Sequence, residues 1–326
     1  MSDKIRWGII GTGKIAANFA QGLSVLPEAE LIAVGSRAGR TAEAFGEKFS
    51  VPRRYDSYAA LAADGDIDVA YVATPHPMHM ENALLCLEAG RAVLCEKPFA
   101  MNSDQARRMI ELSRRKKLFL MEAMWTRFLP AMVKVRQLLA AGAVGEVRMV
   151  TADFGFRTSW NPEGRLLNPH LGGGGLLDVG VYAVSLSSMI LHRPERVLSL
   201  AHIGQTGVDE QAAMILGHTG GRLALLSCAV RTASPMEAHI LGTDGSIRIH
   251  SPWWRTAAFT LKSGGKEETF QLPFVSTGLN YESQEVMDCL RRGMSESDVM
   301  PLEETLSIMK TLDEIRSQWA LRYPVE

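Results

Sequence analysis

A glycine-rich segment near the N-terminus is the first place where residue types and spacing point to chemistry. The segment Gly11-Thr12-Gly13-Lys14-Ile15-Ala16 has the pattern G-x-G-x-x-A, directly after an apolar run and at the start of a helical pattern. In this context the first glycine permits a tight turn, and the second lets the backbone approach a pyrophosphate. Amide groups at the start of the helix would bind the phosphates. The segment therefore predicts a dinucleotide site formed by Gly11, Thr12, Gly13, Lys14 and Ile15.

The residues after the second apolar run indicate which dinucleotide would bind. Enzymes that use NAD place a carboxylate here, against the ribose 2′-hydroxyl. This chain instead has Ser36 and Arg37, followed by Arg40. A hydroxyl and two guanidinium groups would bind a 2′-phosphate, which a carboxylate would repel. NADP is therefore favoured over NAD; the alternative is that both arginines are ordinary solvated loop charges.

Two further segments place polar side chains where apolar runs end. Thr74-Pro75-His76-Pro77-Met78-His79 follows one run, and Cys95-Glu96-Lys97-Pro98 ends the next. Ligands bind at the carboxyl ends of parallel strands. From its position alone, Lys97 is either a ligand contact or an ordinary surface charge. His76 and His79 have a spacing found in metal sites, but no Asp, Glu or Cys ligand set accompanies them, so no metal is predicted.

Apolar runs and helical patterns alternate through the first third of the chain. The apolar runs cover residues 5–10, 30–36, 69–73, 92–95 and 118–122, and the helical patterns cover 14–24, 38–49, 78–89 and 103–116. This alternation predicts a doubly wound parallel sheet, which is the Rossmann fold, in an α/β protein. We place this dinucleotide-binding domain at residues 1–123.

After Trp125 the pattern changes to helices followed by closely spaced strands. Helices are predicted at 130–140, 175–191, 281–292 and 302–321, and strands at 146–154, 196–204, 211–216, 222–231, 236–241 and 246–250. Thr243-Asp244-Gly245 is a strong hairpin signal. Residues 124–326 are therefore predicted to form an α+β domain with a large, mostly antiparallel open sheet.

The predicted strand at 222–231 is apolar on both of its faces. Leu223 and Leu225 alternate with Ala224 and Leu226, whereas a sheet with one solvated face alternates apolar with polar residues. Helices of the same chain or a partner subunit must then cover the second face. We expect a homo-oligomer in which the C-terminal sheet forms the interface.

Composition excludes several classes of function. The 326 residues carry a formal net charge of −1, which gives no general attraction to nucleic acid or to an anionic membrane. The 4 cysteines are scattered, without CxxC spacing or a disulfide framework. We find no signal-peptide pattern and no segment that approaches about 18 uninterrupted apolar residues, so a cytoplasmic protein is expected.

Several motifs together carry a family resemblance. The glycine fingerprint, Glu96-Lys97-Pro98 and the run from Gly172 to Tyr182 resemble the Gfo/Idh/MocA oxidoreductase family. The segments 121–128 and 7–9 are similar to its dihydrodiol dehydrogenase branch, whose members also act as NADP-dependent aldose dehydrogenases, notably on D-xylose. The resemblance covers nearly the whole chain in the same motif order. It implies a Rossmann domain followed by an α+β domain whose open sheet pairs across a homodimer.

The resemblance also implies catalytic roles. Lys97 matches the family's active-site lysine, and Asp178 and Tyr182 match its Asp-x-x-x-[His/Tyr] pair. Residues four apart on a helix share one face. We expect Tyr182 to take the hydroxyl proton of the substrate while Lys97 lowers its pKa, and a hydride to pass from the same carbon to the nicotinamide. Without the resemblance, Tyr182 would be interpreted as a packed core aromatic.

Further residues complete the expected site. The predicted cofactor contacts from the later strands are Thr74, Pro75, His76, His79, Glu96 and Lys97. Trp125 and Phe154 are expected to form an aromatic wall for a sugar ring or an arene diol, with Arg157 and His170 at the mouth of the pocket. The alternative is that the two aromatic residues belong to the ordinary core.

The expected function is NADP-dependent oxidation of a secondary alcohol or cyclic hemiacetal, in an aldose or a trans-dihydrodiol. The same residues would also serve a reductase that converts a keto- or anhydrosugar with NADPH. A third hypothesis is a non-catalytic NADP-binding sensor, since fold alone does not fix function. Such a protein would be expected to lack Lys97 or Tyr182, and this chain has both.

Overall fold

The computed structural model describes residues 4–326, which divide into two compact units. The first unit contains the described chain up to Ala100 and the segments Asp104–Trp125 and Val275–Thr305. The second unit contains Met101–Ser103, Thr126–Phe274 and Leu306–Glu326. The predicted domains meet between residues 123 and 124, and residues 1–3 of the first lie outside the described residues. By its contacts, the segment Val275–Thr305 packs with the first unit.

The first unit is built on a parallel sheet of six strands. The strands are β1 (Ile5–Ile10), β2 (Ala29–Gly35), β3 (Arg53–Tyr55), β4 (Val69–Val72), β5 (Ala92–Glu96) and β6 (Leu120–Ala123). Their order is β3-β2-β1-β4-β5-β6, and every neighbouring pair is parallel. The predicted doubly wound parallel sheet is confirmed.

Helices connect these strands and cover the sheet. They are α1 (Lys14–Leu23), α2 (Gly39–Phe49), α3 (Tyr58–Ala62), α4 (His79–Glu88) and α5 (Ser103–Lys116), with α8 (Asn280–Arg291) added from the C-terminal part. Sequence patterns did not predict β3 or α3. Both are short, and β3 is a half-exposed edge strand with two arginines, so neither has a buried apolar run.

Aromatic packing fixes α1 against the sheet. The rings of Phe19 on α1 and Tyr71 on β4 stack at 3.7 Å between centroids, and Trp7 on β1 lies 5.4 Å from Phe19. All three side chains are buried. This packing holds the start of α1, and therefore the glycine turn before it, at the carboxyl edge of the sheet.

The second unit is built on a mostly antiparallel sheet of eight strands, as predicted. The strands are β7 (Val147–Gly155), β8 (Arg196–Ile203), β9 (Asp209–His218), β10 (Arg222–Ala229), β11 (Ala238–Gly242), β12 (Gly245–Ile249), β13 (Ala258–Ser263) and β14 (Lys266–Gln271). Their order is β14-β13-β12-β11-β7-β10-β9-β8, and only the β7–β10 pair is parallel among the described strands.

The predicted hairpin joins β11 and β12, whereas β13 and β14 were missed. Most side chains of β14 are polar and exposed, because this strand forms the edge of the sheet. Its sequence therefore lacks the apolar alternation that identifies a half-buried strand.

Three longer helical segments complete the described chain. These are α6 (Pro130–Ala140), α7 (Val181–Leu191) and α9 (Leu302–Ser317), and a π-helical turn (Leu176–Gly180) leads into α7. The stretch Pro169–Leu191 is long and apolar enough to cross a membrane, but 89% of its most apolar window is buried within the protein. That burial is the ordinary environment of a core helix.

The strand β10 has apolar side chains on both faces of the second sheet. Ala224 and Leu226 are buried, whereas Leu223 and Leu225 on the opposite face are 37% and 40% exposed. On β8, which β9 separates from β10 in the sheet, Leu200 is 82% exposed. This sheet therefore presents an apolar surface at β8, β9 and β10, which we call the open face.

Helix α8 buries a carboxyl group within the first unit. Glu282 is fully buried, and neither of its carboxyl oxygens has a hydrogen-bond partner among the described residues. Burial raises the pKa of Glu282 well above its usual value, and the charge of Glu96 adds to the effect. Burial therefore favours the neutral carboxyl group, and the folded-state pKa of Glu282 lies above its unfolded-state pKa.

Glu282→Gln is expected to stabilise the protein at pH 8. Because the native pKa is raised, the stability associated with this group is fully present below about pH 4.5 and is lost as pH rises. Glutamine keeps the neutral state, so the melting temperature should exceed that of the wild type by about 2 °C or more at pH 8 and converge with it near pH 5. Scanning calorimetry across this range measures the effect, with the exposed Glu303→Gln as control. A lower melting temperature for Glu282→Gln at pH 8 would contradict it.

Candidate active site

The glycine turn after β1 has the geometry of a phosphate cradle. Gly11 has a φ of +106°, and a Cβ atom there would lie 2.7 Å from the carbonyl oxygen of Ala73. Gly13 lies directly before α1 in an extended conformation, and a Cβ atom there would meet nothing within 4 Å. Gly13 and Lys14 are exposed, and Thr12 and Ile15 are half-buried. The turn therefore presents open backbone and a helix N-terminus, which suits a pyrophosphate.

The loop between β2 and α2 lies beside this turn. The amide of Gly11 donates to the carbonyl oxygen of Gly35, the last residue of β2. Ser36 follows, and its hydroxyl lies 2.6 Å from that of Thr41. Arg37 and Arg40 are both exposed. Two solvent-accessible cations thus follow the strand where a ribose 2′-substituent is read.

Arg37 also acts on a neighbouring side chain. Burial raises the pKa of Tyr58 on α3, and the positive charge of Arg37 together with a hydrogen bond to it opposes that rise. The guanidinium group is therefore held near the end of β2 by its interaction with the phenol.

His79 links the ends of β4 and β5. Its Nε2 and Nδ1 atoms each lie 2.8 Å from a carbonyl oxygen, of Thr74 and Pro98 respectively. Burial lowers the pKa of His79 to about 4, and the nearby Lys97 charge lowers it further, although both carbonyls favour the protonated ring. The ring is therefore neutral at pH 7, and its single N–H donates to one of the two carbonyl oxygens while the other only packs against it.

The other residues at the end of β4 are also held from within the unit. His76 is buried, and its ring centroid lies 5.7 Å from that of His79. Asn82 donates to the hydroxyl of Thr74, and Pro75 directly precedes a short 3₁₀ turn. Among the described residues, no group of three or more His, Cys, Asp and Glu side chains is arranged to hold a metal ion.

Lys97 follows β5 at the same edge of the sheet. The buried Glu96 before it accepts a hydrogen bond from the phenol of Tyr71 on β4. Lys97 itself is half-buried. Because β1, β2, β4 and β5 are neighbours or near neighbours in the sheet order, the residues after each of them share one edge. The structure therefore brings the predicted cofactor-binding residues of the first unit together.

Three aromatic rings cluster in the second unit. Phe154 on β7 stacks on Trp254, with centroids 4.7 Å apart and planes at 5°. Tyr182, the second residue of α7, lies 5.5 Å from Phe154 and 6.1 Å from Trp254. Phe154 and Tyr182 are buried and Trp254 is half-buried, so the cluster places one phenol hydroxyl among closely packed aromatic rings.

Asp178 lies in the π-helical turn before α7. Its Oδ1 atom accepts a hydrogen bond of 2.5 Å from Arg165, and its side chain is 8% exposed. A π-helical turn places residues four apart on nearly the same face, so Asp178 and Tyr182 keep the shared face that the sequence predicts. Such turns occur frequently at functional sites.

The remaining predicted substrate residues lie in different surroundings. Trp125, in the first unit, is buried. Arg157 and His170, in the second unit, are exposed. Of the predicted substrate residues, Phe154 therefore belongs to the aromatic cluster around Tyr182. Among the described residues, neither Arg157 nor His170 makes a ring contact with this cluster.

Sequence patterns missed three residues that hold the second-unit cluster. Trp254 is the second tryptophan in a Pro-Trp-Trp-Arg run, and this run was the available sequence signal for an aromatic site residue. The buried Arg127 donates to both the hydroxyl and the carbonyl of Ser185 on α7. Arg165, which pairs with Asp178, lies in an irregular segment whose spacing predicts no contact.

Family models match both parts of the chain. A model described as an oxidoreductase family with an NAD-binding Rossmann fold matches residues 5–124, and one described as a GFO/IDH/MocA C-terminal domain matches residues 132–248. The chain is 39% identical over 332 residues to the trans-1,2-dihydrobenzene-1,2-diol dehydrogenase of Mus musculus, with 98% of each chain covered. It is 36% identical to the human protein of the same name, with the same coverage.

Solved structures share this architecture. A 3-ketoreductase from Actinomadura kijaniata, solved with NADP and TDP-benzene, is 26% identical, with a TM-score of 0.86 over 96% of this chain and 97% of that one. An aldose-aldose oxidoreductase from Caulobacter crescentus, complexed with glycerol, has a TM-score of 0.88 over 96% of this chain and 97% of that one. At 22% identity the second likeness shows the fold alone.

The first unit has a glycine turn on a parallel sheet, the second unit is an α+β domain, and the relatives are named as dehydrogenases. Together these findings define an oxidoreductase that uses a nicotinamide dinucleotide and acts on CH–OH groups. The chain belongs to the Gfo/Idh/MocA oxidoreductase family.

Substitutions at the two glycines should separate folding from binding. Gly11→Ala forces a left-handed conformation and a contact with Ala73, so stability should fall by roughly 1–2 kcal/mol or more. Gly13→Ala fits the protein but fills the space that a pyrophosphate needs, so dinucleotide affinity should fall about tenfold or more at an unchanged melting temperature. Calorimetry and fluorescence titration measure the two effects. Full dinucleotide affinity in Gly13→Ala would rule out this cradle.

Proposed function

We propose that this protein is an NADP-dependent dehydrogenase that oxidises a secondary alcohol or cyclic hemiacetal, in a trans-dihydrodiol or in an aldose such as D-xylose. The observation that supports this most is Lys97 at the end of β5, on the same sheet edge as the glycine turn at Gly11–Gly13. An ammonium group there stands where a bound nicotinamide dinucleotide meets its substrate in sheets of this topology.

The proposed chemistry divides between proton and hydride transfer. Bound NADP supplies the hydride acceptor, the C4 atom of its nicotinamide ring. Tyr182 takes the hydroxyl proton of the substrate at its Oη atom, and Lys97 favours the phenolate form that this step requires. Asp178 orients the helical turn that carries Tyr182 through its pair with Arg165. Phe154 and Trp254 give the substrate ring an apolar surface.

The preference for NADP is supported by the loop after β2. Ser36 and two exposed arginines stand where a carboxylate would select NAD, and the 3-ketoreductase of similar fold was solved with NADP. The same relative supports a second candidate function, reduction of a keto-sugar with NADPH, because its name describes the reverse reaction. The residues proposed here serve either direction.

A substrate panel tests the activity and Lys97→Met tests the mechanism. Sugars and trans-dihydrodiols with NADP, and keto-sugars with NADPH, are followed at the reduced-nicotinamide absorbance band. Lys97→Met should lower kcat by about a hundredfold or more while NADP affinity changes little, because the lysine acts on the reacting groups. Lys116→Met, at an exposed lysine, is the control. An enzyme that keeps its kcat without Lys97 would remove the lysine from the mechanism.

Arg37→Ala tests the cofactor preference. Loss of a charge-assisted contact to the 2′-phosphate should weaken NADP binding roughly tenfold or more and leave NAD binding unchanged. Titration with both dinucleotides measures this, and Arg107→Ala, at an exposed residue of α5, is the matched control. Equal losses for NADP and NAD would show that Arg37 does not read the phosphate.

We also propose that a second copy of this chain covers the open face. Apolar side chains are exposed there on three adjacent strands, among them Leu200, Ile215 and Leu225. A self-complementary sheet face forms a closed two-fold dimer. The family resemblance implies the same arrangement.

Leu225→Arg should convert a dimer into a monomer, because it places a charge in the centre of the proposed interface. Light scattering should give twice the chain mass of 35.7 kDa for the wild type and the single mass for the variant. Val25→Arg, at an exposed valine of the first unit, should remain dimeric. A monomeric wild type would refute the proposed interface.

A further inference from the structure

The helical segment that carries Asp178 and Tyr182 follows a glycine-rich turn, Gly172–Gly175, which several hydrogen bonds hold in place. Gly174 has a φ of +113°, a conformation that favours glycine. The amides of Gly173 and Gly174 donate to the carbonyl oxygens of Asn168 and Leu166. The phenol of Tyr323, near the C-terminus, donates to the carbonyl oxygen of Gly173 at 2.7 Å.

Asp209, the first residue of β9, makes the contact at the start of the helical segment. Its Oδ2 atom accepts a hydrogen bond of 2.6 Å from the amide of Leu176, the first residue of the π-helical turn. Its Oδ1 atom lies under Gly174, where a Cβ atom would approach it to 2.2 Å. All of these residues belong to the second unit.

The surroundings of Asp209 give no sign that its carboxyl group stabilises the folded protein. The side chain is fully buried, and Oδ1 has no hydrogen-bond partner among the described residues. Within residues 4–326, no cation contributes to the electrostatic environment of this carboxyl group, and only backbone amides oppose the effect of burial. A buried carboxyl group without a countercharge costs stability, so the backbone amides that it binds indicate its role.

We infer that Asp209 is a positioning residue, which fixes the glycine turn and the first amide of the helical segment so that Asp178 and Tyr182 keep their places. This inference rests on the proposed function for its catalytic consequence. Tyr182 lies only six positions after Leu176, and displacements near 1 Å at reacting groups lower rates strongly. The contact with Leu176 satisfies an amide that a helix start otherwise leaves without a partner.

Asp209→Ala removes the acceptor, whereas Asp209→Asn keeps an oxygen able to accept from Leu176. Asp209→Ala should lower kcat roughly tenfold, with a smaller change in KM and unchanged NADP affinity, because only the helix start is released. Hydrogen exchange of amides 174–182 should accelerate about tenfold in this variant. Asp209→Asn should keep both properties close to those of the wild type.

Glu296→Ala is the matched control. The Oε2 atom of Glu296 accepts from the amide of Leu302, the first residue of α9, at 2.7 Å. This variant removes the same kind of contact from another helix. It should speed exchange at the start of α9 and leave kcat and residues 174–182 unchanged. Equal losses of kcat in the two alanine variants, or normal exchange at 174–182 in Asp209→Ala, would overturn the inference.

The pH dependence of exchange in the wild type gives a test that needs no destabilised variant. Burial raises the pKa of Asp209 to about 7, against the opposing effect of the amides of Leu176, Asp209 and Gly175. The titratable groups that face it are Cys228 on β10 and Tyr323, and burial keeps both neutral by raising each pKa well above its usual value. Arg316 of α9 in turn faces Tyr323.

The sign of the pH effect follows from linkage. A carboxyl group with a raised native pKa contributes stability that is fully present below its unfolded pKa of 3.8 and is lost as pH approaches 7. Corrected for intrinsic rates, protection of amides 174–182 should therefore fall between pH 5 and pH 7, and Asp209→Asn should show a flat profile. The same slope in both proteins would refute the assignment. If no CH–OH substrate is oxidised, the proposed function fails, and exchange still decides whether Asp209 holds the turn.

Discussion

Gly11 lies so close to Ala73 that a single methyl group has no room between them. This approach joins the ends of β1 and β4, and it turns the chain into α1 with Gly13 exposed at the helix start. Ser36 and Lys97 follow strands of the same sheet and share this edge. The cofactor preference that we propose for the first residue and the chemistry for the second both depend on this backbone approach.

In the second unit, separate contacts determine where the helix with Asp178 and Tyr182 lies. Arg127 holds α7 at Ser185, one turn beyond Tyr182, while Arg165 pairs with Asp178. The carboxyl group of Asp209 holds the start of the helical segment. Contacts at both ends of a short helical segment restrict its displacement and rotation, which is what orientation of a proton-accepting phenol requires.

The parallel sheet was predictable because its buried strands are continuous apolar runs and its glycine fingerprint is local in sequence. The edge strands β3 and β14 were not, since half-exposed strands lack an apolar pattern. The site residues also divide into those that a local sequence pattern predicts and those that it does not. The residues that end strands, such as Lys97, could be found from sequence, whereas Trp254 and Arg165 reach the second-unit cluster through tertiary contacts that no spacing encodes. His79 was expected near the cofactor, and its burial between two carbonyl oxygens depends on the same kind of contact.

The fate of the carbinol hydrogen tests the central claim most directly. A trans-dihydrodiol or aldose that carries deuterium on the oxidised carbon is converted with NADP, and the NADPH formed is analysed by mass spectrometry and by NMR. Direct hydride transfer predicts one deuterium at C4 of the nicotinamide and none released to water. NADPH free of deuterium, with the label in the solvent, would contradict the account.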